Sequence, residues 1–183
     1  DPATVGTVTG RIQLQGTAPA DEIIQLDGDR KCASLALGEE RRTEYIVVGA
    51  DNGLQNVFIY VKEGLPPRLY PVPATPVVLD QQKCRYVPRV VGLQVGQSLT
   101  IRNSDPLLHN VRAEALINQP FDLGTPIQGT EVTRTFSTRE VMVPFNCNVH
   151  AWMNAYVGAV EHPHFAVTDE DGRFSIPQLP AGT

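Results

Sequence analysis

Three residues near the carboxyl end of the chain have side chains that can bind a metal ion. Cys147, His150 and Met153 follow one another at the spacing C-x2-H-x2-M. A tight loop between two strands can direct all three side chains toward one centre. Thiolate and thioether sulfur are soft ligands and imidazole nitrogen is intermediate, a set that suits copper better than zinc or magnesium. The segment therefore predicts a copper site, for which another part of the chain must supply a second imidazole.

His109 is the best candidate for that second imidazole. It follows a predicted strand and a turn, in a segment of the pattern N-x5-H-N-V that begins at Asn103. One thiolate and two imidazoles in a trigonal plane, with a weak axial thioether, form the arrangement of blue-copper sites. The four donors of such a site are thus all present in the sequence.

These two motifs, in this order, resemble those of the cupredoxins, most closely the plastocyanin and amicyanin branch. The short spacing between His150 and Met153 is the amicyanin-like form. The resemblance implies that His109 and His150 are equatorial ligands, that Cys147 is the thiolate and that Met153 is axial. It also implies that the backbone N–H of Asn110 donates to the cysteine sulfur. The implied cofactor is one copper ion, Cu(I) or Cu(II).

Other chemistries fit the same residues less well. A structural zinc site would use more cysteine or histidine and no methionine. A binuclear purple-copper site needs a second cysteine in the ligand loop, and none follows Cys147. A Cys–His nucleophile pair lacks a third, orienting residue. Taken singly, His109, Cys147 and Met153 are each more typical of ordinary packing; their order and spacing favour the metal site.

The chain has three cysteines, and the odd number leaves one thiol free if the other two pair. A disulfide between Cys32 and Cys84 would leave Cys147 for the metal, whereas the alternative is two separate buried thiols. Such a disulfide would indicate an oxidising compartment. We therefore expect a periplasmic or otherwise extracytoplasmic protein.

The formal net charge of −5 provides no basic surface for nucleic acid and no polybasic membrane patch. No apolar run is long enough to span a bilayer. The first residues, Asp1-Pro2-Ala3, look like mature sequence that follows a removed leader or a trimmed end. The partners that we expect are redox proteins, not identified by the sequence, and not nucleic acid or a membrane.

Short alternating segments between turns dominate the chain, which has 15 glycines and 15 prolines. They predict an all-β protein, a Greek-key β-sandwich of the cupredoxin-like type with additional strands at both ends. In one predicted strand, Val141, Val143 and Phe145 share a face. Only Lys31 to Leu37 looks helical, while residues 63–76 and 114–130 are predicted loops.

The chain divides into three predicted parts. Residues 76–161 form the cupredoxin-like copper domain. Residues 1–75 and 162–183 resemble strands of carboxypeptidase-regulatory-like, transthyretin-like modules, because the chain ends with a T-D-E-D-G-R-F hairpin followed by L-P-A-G-T. The second of these parts looks truncated. The acidic run at Asp169 is expected to be a solvated turn and not a calcium site.

His162 and His164, separated by one proline, have two interpretations. The plainer one is an exposed loop. The other is a second copper site, or an entry point for copper or electrons near the first site.

The ligand set favours outer-sphere transfer of single electrons, without catalysis, and His150 on an exposed ligand loop would be the electron port. Two alternatives remain. One is a copper-binding or copper-delivery protein that does not turn over electrons, and the other is a β-sandwich interaction module with a vestigial site.

Overall fold

The structure, a computed structural model, describes residues 4–26 and 28–182. Within these residues the chain forms thirteen strands and one short α-helix. The strands are β1 (Val5–Arg11), β2 (Phe58–Tyr60), β3 (Val77–Gln82), β4 (Arg85–Val87), β5 (Val90–Gln94), β6 (Ser98–Asn103), β7 (His109–Ala113), β8 (Phe121–Thr125), β9 (Glu131–Thr135), β10 (Glu140–Asn146), β11 (Asn154–Val160), β12 (Phe165–Val167) and β13 (Arg173–Pro180); the helix is α1 (Arg30–Leu35).

Nine of these strands form two sheets. One sheet has the order β5-β11-β10-β7-β8, and the other has the order β4-β3-β6-β9. Most neighbours are antiparallel, but β5 pairs with β11 and β3 with β6 in parallel. Strands distant in sequence are therefore neighbours in both sheets. The predicted all-β Greek-key sandwich with extra terminal strands is confirmed.

The core lies between the two sheets. Leu79, Leu99 and Ile101 project into it from one sheet, and Leu93 and Phe145 from the other, all fully buried. Alternation along β6 explains part of this arrangement, because residues two apart on a strand share a face. Burial of large aliphatic and aromatic side chains is the main stabilising contribution to such a sandwich.

The alternation predicted for β10 is only partly correct. Val143 and Phe145 are buried, but Val141 is 37% exposed. The pairing of β10 with β11 shifts register between Glu140 and Val143, and Met142 has a φ of 61°. This bulge turns the start of the strand, so that Val141 leaves the core face.

The predicted loop at residues 114–130 is also wrong in part. Its middle, Phe121–Thr125, forms β8, which pairs with β7 along its whole length. The proline-rich segment at 63–76 has no strand or helix, as predicted.

Strands from the two ends of the chain pair with each other outside these sheets. β1 pairs with β13, and β2 pairs with β12, both antiparallel. No helix in the described residues is long and apolar enough to cross a membrane.

The segment between β1 and β2 crosses over the sandwich and carries α1. Asp29 caps this helix by accepting hydrogen bonds from the backbone N–H groups of Lys31 and Cys32. A six-residue helix is not stable by itself. A disulfide between Cys32 and Cys84 ties it to the turn between β3 and β4, as predicted, and Cys147 remains a free thiol.

Candidate metal centre

The ligand loop joins β10 to β11. Cys147 is the first residue after β10, and Met153 is the last before β11. The backbone N–H of Cys147 donates to the carbonyl of Met153 at 3.2 Å, and that of Met153 donates to the carbonyl of His150 at 2.9 Å. These two bonds hold the tight turn that the C-x2-H-x2-M spacing predicts.

His109 begins β7, which pairs with the end of β10 through Asn146 and Arg112. The start of β7 therefore lies beside the ligand loop. The turn before it is held by Asn103, whose buried side chain donates to the carbonyl of Leu107 at 2.8 Å. Asn103, the first residue of the N-x5-H-N-V pattern, thus holds the turn that positions His109.

The structure brings three of the predicted ligands together. His109 Nδ1 lies 3.0 Å from His150 Nδ1, and Cys147 Sγ lies 3.8 Å from His150 Nδ1. The three donor atoms lie within 4.8 Å of one another, and all three side chains are buried. Two further donor groups in the described residues include Cys84, whose sulfur is in the disulfide and is not available as a thiolate.

Each imidazole is fixed on its other nitrogen by a carboxylate. His109 Nε2 lies 2.9 Å from Asp105 Oδ2, and His150 Nε2 lies 3.1 Å from Asp29 Oδ2. Asp105 also accepts from the backbone N–H groups of Lys83 and Cys84. Carboxylates in this position fix the ring orientation and the tautomer of a metal-binding histidine.

Neither carboxylate was predicted from the sequence. Asp105 lies four residues before His109, within the motif itself, so the sequence could have indicated it as a partner of that histidine. Asp29 belongs to the segment outside the sandwich and lies 121 residues from His150. No local pattern in the sequence indicates a contact of that kind.

The electrostatics of the centre favour a thiolate. Burial raises the pKa of the Cys147 thiol, but hydrogen bonds from His109, from His150 and from the backbone N–H of Asn110 outweigh it and lower that pKa to about 5. For His109, burial lowers the pKa, but the contacts with Asp105 and Cys147 raise it to about 8. A buried, deprotonated sulfur beside two imidazoles is the donor set of a soft metal ion.

Asn110, predicted to support the cysteine sulfur, is buried beside it. Its side chain accepts a hydrogen bond from the backbone N–H of Asn148 and donates to Asp122. The same residue therefore contacts the sulfur through its backbone and ties the ligand loop to β8 through its side chain.

Met153 is 1% exposed and belongs to the hydrophobic core cluster. Trp152 packs against the centre, with its ring 5.2 Å from that of His150, and its Nε1–H donates to the carbonyl of Cys84 at 3.1 Å. The place of Met153 as axial ligand stays a prediction.

The residues present fit a bound cation. When both imidazoles are neutral, as metal ligands must be, and both Nε2 atoms donate to carboxylates, both Nδ1 atoms present lone pairs toward each other at 3.0 Å. Two facing lone pairs repel unless a cation, either a proton or a metal ion, neutralises them. The thiolate, two imidazoles and a buried thioether nearby match the preferences of copper.

The ligand loop is exposed at Asn148, Val149 and Ala151, but the expectation that His150 is accessible on it is wrong. His150 is 2% exposed, because Asp29 and the crossing segment cover its Nε2 edge. His150 does not present its ring to solvent as the predicted electron port.

The exposed-loop interpretation of His162 and His164 is also wrong, since they are 7% and 3% exposed. His162 Nε2 lies 2.9 Å from the carbonyl of Val61, and both rings pack edge-on against Tyr70. They follow β11 at the end away from the ligand loop. Neither belongs to a group of three metal donors within the described residues.

No family model and no curated protein matches the chain. Among solved structures, an oxidised amicyanin mutant is 21% identical over 51% of this chain and 94% of its own, with a TM-score of 0.42. A copper-containing nitrite reductase from Thermus scotoductus is 17% identical over 54% and 25%, with a TM-score of 0.41. A purple cupredoxin from Nitrosopumilus maritimus is 23% identical over 41% and 81%, with a TM-score of 0.35. Likeness at this level transfers no function to the chain.

Proposed function

We propose that this protein binds one copper ion through His109, Cys147 and His150, with Met153 as axial ligand, and transfers single electrons outside the cytoplasm. The observation that carries the proposal is the convergence of two Nδ1 atoms and one sulfur within 4.8 Å in a buried centre. Copper held there would alternate between Cu(I) and Cu(II), a one-electron change.

The surroundings of the donors support electron transfer because they resist rearrangement. The loop is closed by its own backbone bonds, and each imidazole is held by a carboxylate. Closely packed protein interiors have low compressibility, which limits the movement of the donors. A site that keeps its geometry between two oxidation states exchanges electrons with a small reorganisation.

The extracytoplasmic location is supported by the disulfide between Cys32 and Cys84, since disulfides persist in oxidising compartments. The partners in this proposal are redox proteins, and the protein itself catalyses no reaction. The alternative, a copper-binding or copper-delivery protein, is favoured by the burial of His150, because a covered imidazole edge removes the most direct route for electrons.

One equivalent of Cu(II) added to the purified chain tests the proposal. We expect an intense visible absorption band from the thiolate and a reversible reduction potential. The variant C147S is the matched control, since oxygen replaces sulfur at the same place, and it should lose the band. A colourless site that holds only Cu(I) would favour delivery, and a band of unchanged intensity in C147S would contradict the ligand assignment.

A further inference from the structure

A second concave site lies beside the candidate metal centre. It is a cavity of about 390 Å³ between the segment that joins β1 to β2 and the residues between the end of β3 and the start of β5. Trp152 and Met153 form part of its wall, so the cavity and the metal centre share the ligand loop. Its volume lies within the range of pockets that bind small molecules.

The charge of the cavity wall is strongly positive. Five basic side chains line it, and Glu44 is the single carboxylate among the lining residues described. The basic residues are Arg41, Arg42, Lys83, Arg85 and Arg89. The whole chain has a net charge of −5, so the concentration of positive charge here does not reflect the composition.

The nearby acids pair with some of these cations, Arg42 with Glu40 for example, but they do not satisfy all of the guanidinium N–H groups. Arg41 is 8% exposed and pairs through Nη1 with Glu39, but its Nε and Nη2 are buried without a hydrogen-bond partner in the described structure. Arg89 stacks over the ring of Tyr45 at 5.7 Å, and its Nη2 is likewise buried and unpartnered. A buried guanidinium with unpaired N–H groups carries a desolvation cost that a bound anion would offset.

The arginines also act on one another. Burial, and then the charges of Arg41 and Arg89, lower the pKa of Arg85. Arg85 itself pairs with Glu44. Several guanidinium groups held this close form a site that attracts negative charge, although Glu39, Glu40 and Glu44 each pair with one of them.

Apolar side chains line part of the remaining wall, beside three amide side chains (Gln55, Asn56 and Asn154). Ile24, Leu26, Trp152 and Met153 line the cavity together with the basic residues. An inorganic anion would leave these surfaces unused, whereas an organic anion would place its hydrocarbon part against them and its charged groups against the arginines. The combination identifies the chemical class of the ligand.

We propose that this cavity binds a small organic polycarboxylate. The carboxylates lie against Arg41, Arg85 and Arg89, and the carbon skeleton lies against the wall formed by Leu26 and Trp152. Met153 and Trp152, which line the cavity, also belong to the ligand loop, so the bound anion would lie beside the metal centre. The proposal does not depend on which metal the centre holds.

The single tryptophan of the chain reports on the cavity, since Trp152 lines it. Propane-1,2,3-tricarboxylate is titrated into the full chain as purified, and binding is followed by the fluorescence of Trp152 and by calorimetry. This probe lacks the hydroxyl group with which citrate chelates metals. We expect saturable binding that is tighter than that of inorganic phosphate at the same ionic strength.

Two variants and a control complete the experiment. R41Q and R89Q should each weaken binding about tenfold or more, because each removes charge-assisted hydrogen bonds. R173Q removes the same charge from a side chain that is 66% exposed on β13, and it should bind as the wild type does. Circular dichroism establishes that each variant is folded, and the partly buried Arg89 provides the test if R41Q is not.

Three results would overturn the proposal. They are the absence of saturable binding, an equal loss of affinity in R173Q, and binding of phosphate as tight as that of the tricarboxylate. None of them bears on copper binding, which the visible spectrum measures separately.

Discussion

The two candidate histidine ligands differ in the origin of the carboxylate that each contacts. Asp105 belongs to the same turn as His109 and is 2% exposed. Asp29 reaches His150 from a separate segment, and its side chain is 30% exposed. Backbone N–H donation from Cys32, the largest cause, and then the contact with His150 lower the pKa of Asp29 despite partial burial. It therefore places a negative charge directly beside the centre at neutral pH.

Replacing that charge should raise the reduction potential of bound copper. Asn in D29N can still cap α1 with its oxygen, but its amide NH2 group then faces His150 Nε2, so the change removes both the charge and the acceptor that orients His150. Loss of a nearby anion destabilises Cu(II) more than Cu(I). We also expect about tenfold weaker Cu(II) binding, as for other residues that orient metal ligands. Voltammetry and a competition titration measure the two effects.

The control for this variant is D51N. Asp51 also lies in the segment between β1 and β2, but its side chain is 83% exposed. Among the ion pairs of the described residues, it pairs only with Arg11. The same potential in D29N and D51N would show that the contact with His150 has no influence on the metal.

Met153 gives a second prediction at this scale. M153L keeps the size of the side chain in the core and removes the thioether sulfur. Copper should remain bound, because the thiolate and two imidazoles hold it, and the potential should rise because a donor to Cu(II) is lost. Loss of copper from M153L, measured by metal analysis after dialysis, would mean that Met153 is more than a weak axial ligand.

The sequence predicted the part of the site whose residues have metal-binding side chains at a recognisable spacing. Cys147, His150 and His109 lie together because the first two share a hairpin turn and the third begins the neighbouring strand. The contacts of Asp29 and the arginine-lined cavity were not predicted, since they depend on how the long segment between β1 and β2, which has little regular structure, crosses the sandwich.

At the scale of elements, strands with clear alternation were predicted and others were missed. β6 alternates, whereas β8 follows Pro120 and contains Gly124, in a segment whose sequence predicts a loop. β8 exists because β7 provides a paired edge for all its residues. Tertiary pairing of this kind overrides local propensity.

Glu140 connects two of these elements. Its carboxylate, at the start of β10, accepts backbone hydrogen bonds from Leu116, Ile117 and Asn118, and another from the side chain of Asn118. Burial raises the pKa of Glu140, but these donors outweigh it and lower that pKa from its ordinary value of 4.5. The carboxylate thereby holds the turn between β7 and β8 against the sheet.

The variant E140Q should be less stable by about 1–3 kcal/mol at pH 7, since bonds to a charged acceptor are lost. Because the pKa is lower in the folded state, the contribution of Glu140 is fully present above pH 4.5 and is lost as pH falls through the folded-state pKa. The stability difference between wild type and E140Q should therefore shrink in acid. Urea unfolding at several pH values measures it. The control E161Q, with a side chain 57% exposed, should show no such difference.

At the scale of the molecule, the segment between β1 and β2 is attached to the sandwich at separate places. The disulfide attaches α1, Asp29 contacts His150, and β2 pairs with β12. The limits proposed from sequence for three parts, 1–75, 76–161 and 162–183, stay a prediction. Their first and last parts pair through β1 and β13, a contact between residues more than 150 positions apart for which a sequence has no local signal.

The disulfide should contribute most of the attachment of α1. It joins residues 52 positions apart, for which the chain-entropy description gives roughly 4 kcal/mol of stabilisation. The double variant C32A/C84A should therefore unfold at a clearly lower urea concentration than the wild type. Reductant should lower the midpoint of the wild type toward that of the double variant and leave the double variant unchanged, which is the internal control.

Mass mapping without reduction should find Cys32 joined to Cys84 and Cys147 unpaired in the metal-loaded protein. A disulfide that contains Cys147 would contradict the proposed metal site, since that sulfur could not then be a thiolate ligand.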